Sequence, residues 1–252
     1  VDLNLAGKRA AIAGATRGIG LAIAKQLVAE HCHVSICARS ADGVDAVVNE
    51  LHSDNATVIG TALDATDRDA QTAWIENSAK TLGGLDIFIA NVSALNGGAD
   101  EEAWRQSIEV DMMATVYGAE AAIPLLKESD SGAMVFISSI AALQTKGARP
   151  YGSLKASVIH YSKSLARGLA ADGIRVNAVS PGNIYFEDGV WGKAEKNNPE
   201  FFAEMLAANP MGRMGRPEEV ANAAVFLASP AASFISGTNV LVDGALTTGV
   251  QY

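Results

Sequence analysis

Arg9-Ala10-Ala11-Ile12-Ala13, then Gly14-Ala15-Thr16-Arg17-Gly18-Ile19-Gly20, then Leu21-Ala22-Ile23-Ala24-Lys25-Gln26-Leu27-Val28 is the stretch on which the fold turns. The first five residues form a short, mostly apolar run suited to a covered strand. The last eight place Leu21, Ile23, Ala24, Leu27 and Val28 at helical spacing. Three glycines join the two. Glycine lets a backbone turn sharply, and it lets a phosphate group come close to the free amides and positive dipole end of a helix N-terminus. The spacing, one glycine, three residues, then Gly-x-Gly, differs by one residue from the common dinucleotide fingerprint. The plainer reading is a tight turn with no ligand.

Outward from this loop, β-like runs alternate with helix-length segments to the end of the chain. After 9–13 come Val34–Cys37, Thr57–Gly60, Asp86–Ala90, Met134–Ile137, Arg175–Val179 and Asn239–Val242. Several are apolar at consecutive positions, as strands covered on both faces are. The expectation is an α/β fold: a Rossmann-like, doubly wound, mostly parallel seven-stranded sheet with helices on both faces. No linker or composition shift divides residues 1–252, so one domain is expected. The stretch from Pro181 to about Asn197 reads as a long irregular loop, and such loops are usually functional.

Composition narrows the partners. The formal charge of −9 opposes binding to a nucleic acid or an anionic membrane. Glycine supplies 24 of 252 residues, above the usual share of about 7%, and points to tight turns and close backbone approaches. Gly182 follows the sixth strand, and Gly237 and Gly244 bracket the last. The start, Val1-Asp2-Leu3-Asn4, has no basic flank or apolar stretch, so a cytoplasmic location is expected. Val220 to Val242 is long and uncharged. Ser229-Pro230 and Ser236-Gly237 break it into a helix, a turn and a strand rather than a membrane span. Cys32 and Cys37 offer no disulfide framework, and His31 and His33 read as surface residues, so no metal site is expected.

Two further places carry chemistry. Many NAD-binding folds end the second strand with a carboxylate that accepts from the ribose 2′-hydroxyl. Here the sequence is Ala38-Arg39-Ser40, and an arginine fork suits a 2′-phosphate. The expected cofactor is therefore NADP(H) over NAD(H), with Arg39 and Ser40 on the phosphate and Arg17 nearby. Pro150-Tyr151-Gly152-Ser153-Leu154-Lys155 opens a helix, with Tyr151 and Lys155 four residues apart on one face. An ammonium beside a phenol favours the phenolate, which suits proton exchange. Upstream, Ser138-Ser139 could hold a substrate oxygen.

Taken together, these residues resemble the short-chain dehydrogenase/reductase family over nearly the whole chain. The resemblance rests on the Gly14–Gly20 loop, Asp64, Asn91, Ser139, Tyr151, Lys155 and Ser180-Pro181-Gly182. It also rests on a tail with Gly212-Arg213, Pro217-Glu218-Glu219-Val220, Phe226-Leu227-Ala228-Ser229, Gly237 and Val242-Asp243-Gly244. It implies a homotetramer and hydride exchange with a nicotinamide. In that scheme Tyr151 exchanges the proton, Lys155 assists it and grips the nicotinamide ribose, and Ser139 orients the carbonyl. It also implies cofactor contacts from Gly14, Thr16, Arg17, Gly18, Ile19 and Gly20 in the loop, and from Arg39, Ser40, Asp64, Ala65 and Asn91 along the adenosine side. Tyr151, Lys155, Pro181, Gly182 and Ile184 complete them. Several positions depart from the family pattern. Asp111 stands where an asparagine usually holds a proton relay. Ala90-Asn91-Val92-Ser93 replaces Asn-Asn-Ala-Gly. Ser139 precedes Tyr151 by 12 residues where 13 is commoner, a count that Ser138 restores. Phe186 stands where a threonine often meets the carboxamide.

Substrate choice is expected in a lid at 183–209 and in the turns after strands four and five, with Ser93, Gln144, Tyr185, Phe186 and Trp191 as candidate wall residues. The lid holds five of the chain's fifteen aromatics, of which Phe201 and Phe202 are expected to close it onto the body. A reductase or dehydrogenase of free ketones and secondary alcohols leads. A 3-oxoacyl-thioester reductase served by acyl carrier protein is the alternative. It is disfavoured because Asp172 stands where an arginine would help Lys127, and because the net charge opposes an acidic partner. A dinucleotide-binding sensor or scaffold without turnover is the remote alternative.

Overall fold

The structure, a computed structural model, describes residues 1–95, 97–145 and 147–250. Its strands are β1 (Arg9–Ala13), β2 (His33–Ala38), β3 (Val58–Ala62), β4 (Ile87–Ala90), β5 (Ala133–Ile137), β6 (Arg175–Pro181) and β7 (Asn239–Val242). All neighbours pair in parallel, in the order β3-β2-β1-β4-β5-β6-β7. Because strand order reverses between β1 and β4, their carboxyl ends border a crevice, the usual ligand position in such sheets. The register places Ala13 opposite Cys37 on one side and Ala90 on the other, with Ala90 opposite Phe136. Gly14, Asn91 and Ser138 therefore leave the sheet close together.

Period-2 alternation sends successive side chains to two cores. Ile12, Ile36, Ile87, Ile89 and Val135 pack under α1 (Gly18–Ala29) and α9 (Pro217–Ala228). Ala11, Phe88, Met134 and Phe136 pack on the opposite face, under α3 (Arg68–Leu82), α5 (Ala114–Leu126) and α6 (Pro150–Leu169). Burying each large side chain contributes about 1.5–3 kcal/mol, and this double covering explains why the central strands read as continuous apolar runs. Below β4, Asp86 accepts from Arg9 Nε at 2.7 Å, Arg9 Nη2 at 2.8 Å and Ser129 Oγ at 2.6 Å. Burial raises the Asp86 carboxyl, but the hydrogen bonds from Arg9 and Ser129 outweigh it and hold it below the usual carboxylate range.

Part of the sequence reading changes. The stretch from Pro181 to Asn197 is irregular only over 182–189, since β6 runs to Pro181 and α7 (Val190–Asn197) and α8 (Pro199–Ala207) follow. Asn198 caps α8 by accepting from the Phe201 N–H, and Pro199 opens it. β5 ends at Ile137, where the apolar run also ends, and Ser138 and Ser139 follow it. His31 is exposed, and His33 opens β2 half-buried, its Nδ1 accepting from the Thr57 N–H at 2.9 Å. Val220–Val242 does divide into α9, a short 3₁₀ turn and β7. Among the described residues no helix is long and apolar enough to cross a membrane, and no group of metal-binding side chains gathers. Cys32 and Cys37 are free and buried. Burial pushes the Cys37 thiol up to about 12, so it is inert.

Candidate active site

The loop after β1 has the backbone the sequence anticipates. Gly14 (φ +81°) and Gly18 (φ +54°) lie in the left-handed region. A Cβ on Gly20 would stand 2.1 Å from the Gly14 carbonyl and 2.5 Å from Asn91 Nδ2, so only glycine fits there. Asn91 donates from Nδ2 to Gly14 O at 2.6 Å and bolts the loop to the end of β4. α2 (Ala41–Glu50), α3 and α4 (Glu101–Ser107) are capped by Ser40, Asp67 and Asp100. α1 has no capping side chain and no acidic residue in its first turn. Its leading amides, Gly18 to Gly20, are thus left for another acceptor, which a dinucleotide pyrophosphate fits.

The adenosine end gathers at the C-termini of β2 and β3. Arg39 and Ser40 are exposed, and Ser40 Oγ accepts from the Gly43 N–H at 3.1 Å. Thr16 Cβ lies 3.8 Å from where a Gly43 Cβ would stand, which puts Thr16 beside the α2 N-terminus. Asp64 accepts from the Thr66 N–H and hydroxyl. Its carboxyl is held below the usual range first by that N–H, against burial, with the Thr66 hydroxyl and the Arg39 charge adding. Ala65 is buried beside it. Arg17 is exposed, and its Nη1 donates to the Asp188 carbonyl at 3.5 Å.

Tyr151 is the second residue of α6, behind Pro150. Lys155 lies one turn on, with Nζ 5.9 Å from the centre of the Tyr151 ring. The ammonium is almost wholly buried, donates to Ile137 O at 3.2 Å and pairs with Asp111 Oδ1 at 3.4 Å. The two serines divide. Ser138 Oγ is buried and donates to the Lys155 carbonyl at 2.8 Å, bracing α6 on the end of β5. Ser139 is half-buried, and its Oγ accepts from the Ala141 N–H at 3.1 Å while keeping its own proton to offer. Gly152, which sequence reasoning passed over, sets this approach: a Cβ there would stand 2.6 Å from Ala141 O. A glycine inside a helix costs about 0.5–1 kcal/mol against alanine, and that cost was the available signal.

Asp111 lies in a turn of π-helix, Ile108–Met113, between α4 and α5. It is fully buried, and Oδ1 accepts from Ser93 Oγ at 2.6 Å and from the Ala94 N–H at 3.3 Å. Ser93, expected on the substrate wall, therefore spends its proton on Asp111. Gln144 is half-buried at the end of the 3₁₀ turn that Ser139 opens.

Pro181 ends β6, and Gly182 sits where a Cβ would meet Asp243 Cα at 2.7 Å, drawing β6 against the end of β7. Ile184 is buried in the first core, and its backbone bridges to that of Gly215. The segment beyond packs mostly on itself. Tyr185 donates to Glu195 Oε2 at 2.5 Å and meets Phe202 edge-on at 6.1 Å, and Trp191 stacks on Phe201 at 6.0 Å. Phe201 and Phe202 thus do not close the segment onto the body: α8 buries no residue, and Phe201 is 42% exposed. Phe186 is the aromatic that reaches across, its ring 2.7 Å from where a Gly18 Cβ would stand.

Comparison with known proteins agrees with this geometry. A family profile described as enoyl-(acyl carrier protein) reductase matches residues 14–247. Isoepoxydon dehydrogenase of Penicillium expansum is 39% identical over 99% of this chain and 98% of its own. The cis-4-hydroxycyclohexanecarboxylate dehydrogenase of Sinomonas cyclohexanicum is 36% identical over 94% of this chain and 96% of its own. Among solved structures, L-sorbose reductase from Gluconobacter frateurii, complexed with NADPH and L-sorbose, superposes with a TM-score of 0.89 at 31% identity, covering 99% of this chain and 100% of that one. A short-chain type dehydrogenase/reductase from Mycobacterium ulcerans gives 0.88 at 29% identity, over 95% of this chain and 89% of that one. With the sheet order, the glycine loop and these matches in hand, the chain belongs to the short-chain dehydrogenase/reductase family of oxidoreductases.

Proposed function

We propose that the chain is an NADP(H)-dependent oxidoreductase that interconverts a small ketone and its secondary alcohol through Ser139, Tyr151 and Lys155. The observation that carries this reading is the buried Lys155 ammonium, fixed by Ile137 O and Asp111, one turn from Tyr151. A lysine is seldom buried unless it is paired or used. The nicotinamide, when bound, supplies or takes up the hydride. The chain's own residues handle the oxygen: Ser139 offers its hydroxyl proton to the carbonyl oxygen, and Tyr151 gives or takes the proton that balances the charge. Gly14 to Gly20 and Asn91 would hold the pyrophosphate side, and Arg39, Ser40 and Thr16 the 2′-phosphate. Residues 183–209 form the lid of a single catalytic domain, and the family resemblance extends the reading to a homotetramer.

The names of the relatives help with substrate class. The Sinomonas enzyme is named for a ring-borne secondary alcohol and the Gluconobacter enzyme for a ketose. Small cyclic ketones and polyhydroxylated ketones therefore come first. The thioester alternative weakens, because Lys127, its one helpful cation, is paired with Asp172 at 2.9 Å. A panel of such ketones, alcohols and 3-oxoacyl thioesters, run in both directions with both cofactors, tests the reading. Tyr151→Phe should lower turnover by about 10²–10⁴-fold while NADPH binding, followed by fluorescence, is kept. Unchanged turnover in that variant, or tighter binding of NADH than NADPH by the native chain, would overturn the corresponding part.

A further inference from the structure

Asp111 is a carboxylate in a place that burial makes costly. It is fully buried, and burying a charge costs several kcal/mol unless a partner compensates it. Among the described residues its one ion pair is with Lys155, and that is also the only ion pair Lys155 makes. The groups that contact this pair come from three places. Tyr151 comes from α6 itself, the Ile137 carbonyl from the end of β5, and the Ser93 hydroxyl and Ala94 N–H from the segment after β4. The neighbouring acid on the π turn, Glu109, is exposed. Among the described residues, Asp111 Oδ2 is buried and has no hydrogen-bond partner, so the negative charge is not spread over further donors there. Tyr151 thus stands beside a neutralised pair rather than a bare ammonium.

We infer that Asp111 is a positioning residue that acts through Lys155, as the counter-ion that offsets the lysine's pull on the Tyr151 proton. This rests on the proposed role of Tyr151 as proton exchanger. In reduction the Tyr151 hydroxyl gives its proton to the carbonyl oxygen, and in oxidation the phenolate takes one from the alcohol. A bare ammonium favours the phenolate. A compensated one favours it less, so the range in which Tyr151 serves as donor reaches to higher pH. The same carboxylate, through Ser93 and Ala94, ties the wall after β4 to Lys155, so the charge balance and the shape of the site share one group.

The test is the pH profile of kcat/KM in both directions for the native enzyme and for Asp111→Asn, with the best substrate of the panel. The amide keeps the side chain's size and an acceptor for Ser93 but removes the charge. The midpoint at which reduction is lost and the midpoint at which oxidation is gained should both move down, by about one pH unit. A merely structural role would lower kcat and leave both midpoints in place. Unmoved or upward-moving midpoints overturn the inference. If the amide variant does not fold, Asp111→Ser carries the same measurement. Tyr151→Phe separates the two failures. An inactive Tyr151→Phe with unmoved Asp111→Asn midpoints defeats only the counter-ion, whereas an active Tyr151→Phe defeats both readings.

Discussion

The loop at Gly14–Gly20 and the segment at 183–209 border the same crevice, yet they are held in opposite ways. The loop is fixed by backbone. Its glycines adopt conformations or approaches closed to other residues, and Asn91 ties Gly14 O to a central strand. The segment is held by side chains against one another: Tyr185 on Glu195, Trp191 on Phe201, and Lys196 on Glu187 at 2.9 Å. Its links to the body are few, and include the Ile184–Gly215 bridge, Phe186 over Gly18, and Arg17 on the Asp188 carbonyl. A backbone-built site tolerates little change and suits a constant ligand. A cluster of side chains that packs on itself can be altered without disturbing that site, which suits a variable one.

The sharpest way to break this comparison is at the loop. Gly20→Ala must push a Cβ into backbone rather than into a movable side chain. The expected cost is about 1–3 kcal/mol of stability, with NADPH binding weakened at least about tenfold, read by thermal melting and fluorescence titration. Retention of native NADPH affinity would show that the loop is looser than its geometry implies. A narrower effect, on one cofactor and without loss of stability, is expected where the loop side meets solvent. Arg39→Asp removes the fork beside Asp64 and Thr16, so NADPH should bind about 10–100-fold more weakly while NADH is little changed. Equal losses for both cofactors would remove Arg39 from the 2′-phosphate.

The smallest effect belongs to the segment at 183–209. Tyr185→Phe loses one hydrogen bond, to the exposed Glu195, and keeps the edge contact with Phe202. Its melting temperature should stay within about 2 °C of native. NADPH affinity should be unchanged and KM for the ketone altered. If cofactor affinity fell as well, the two regions would be coupled, with Phe186 and Arg17 as the links to test next.

How far the sequence reaches follows the same division. The glycine loop, the seven strands and the Tyr151–Lys155 pair were legible because each is a local pattern, set by spacing along the chain. α7 and α8 were missed because the expected irregular stretch runs through one, and because the Asn198-Pro199 cap was not weighed as a helix start. The serine pair stayed ambiguous because counting residues cannot show which hydroxyl faces α6. Ser138 is tied to the Lys155 carbonyl 17 residues on.

By itself, then, the sequence determined the fold class, the glycine loop after the first strand and the placing of Tyr151 and Lys155 one turn apart on one helix. Tertiary structure alone decided where the charges and hydroxyls are spent. Arg17 turns to Asp188, Ser93 and Lys155 turn to Asp111, and Lys127 turns to Asp172. Local conformation depends on neighbours along the chain, but the partner of a charge depends on which residues folding brings within about 3–4 Å, and a low-dielectric interior makes that choice decisive.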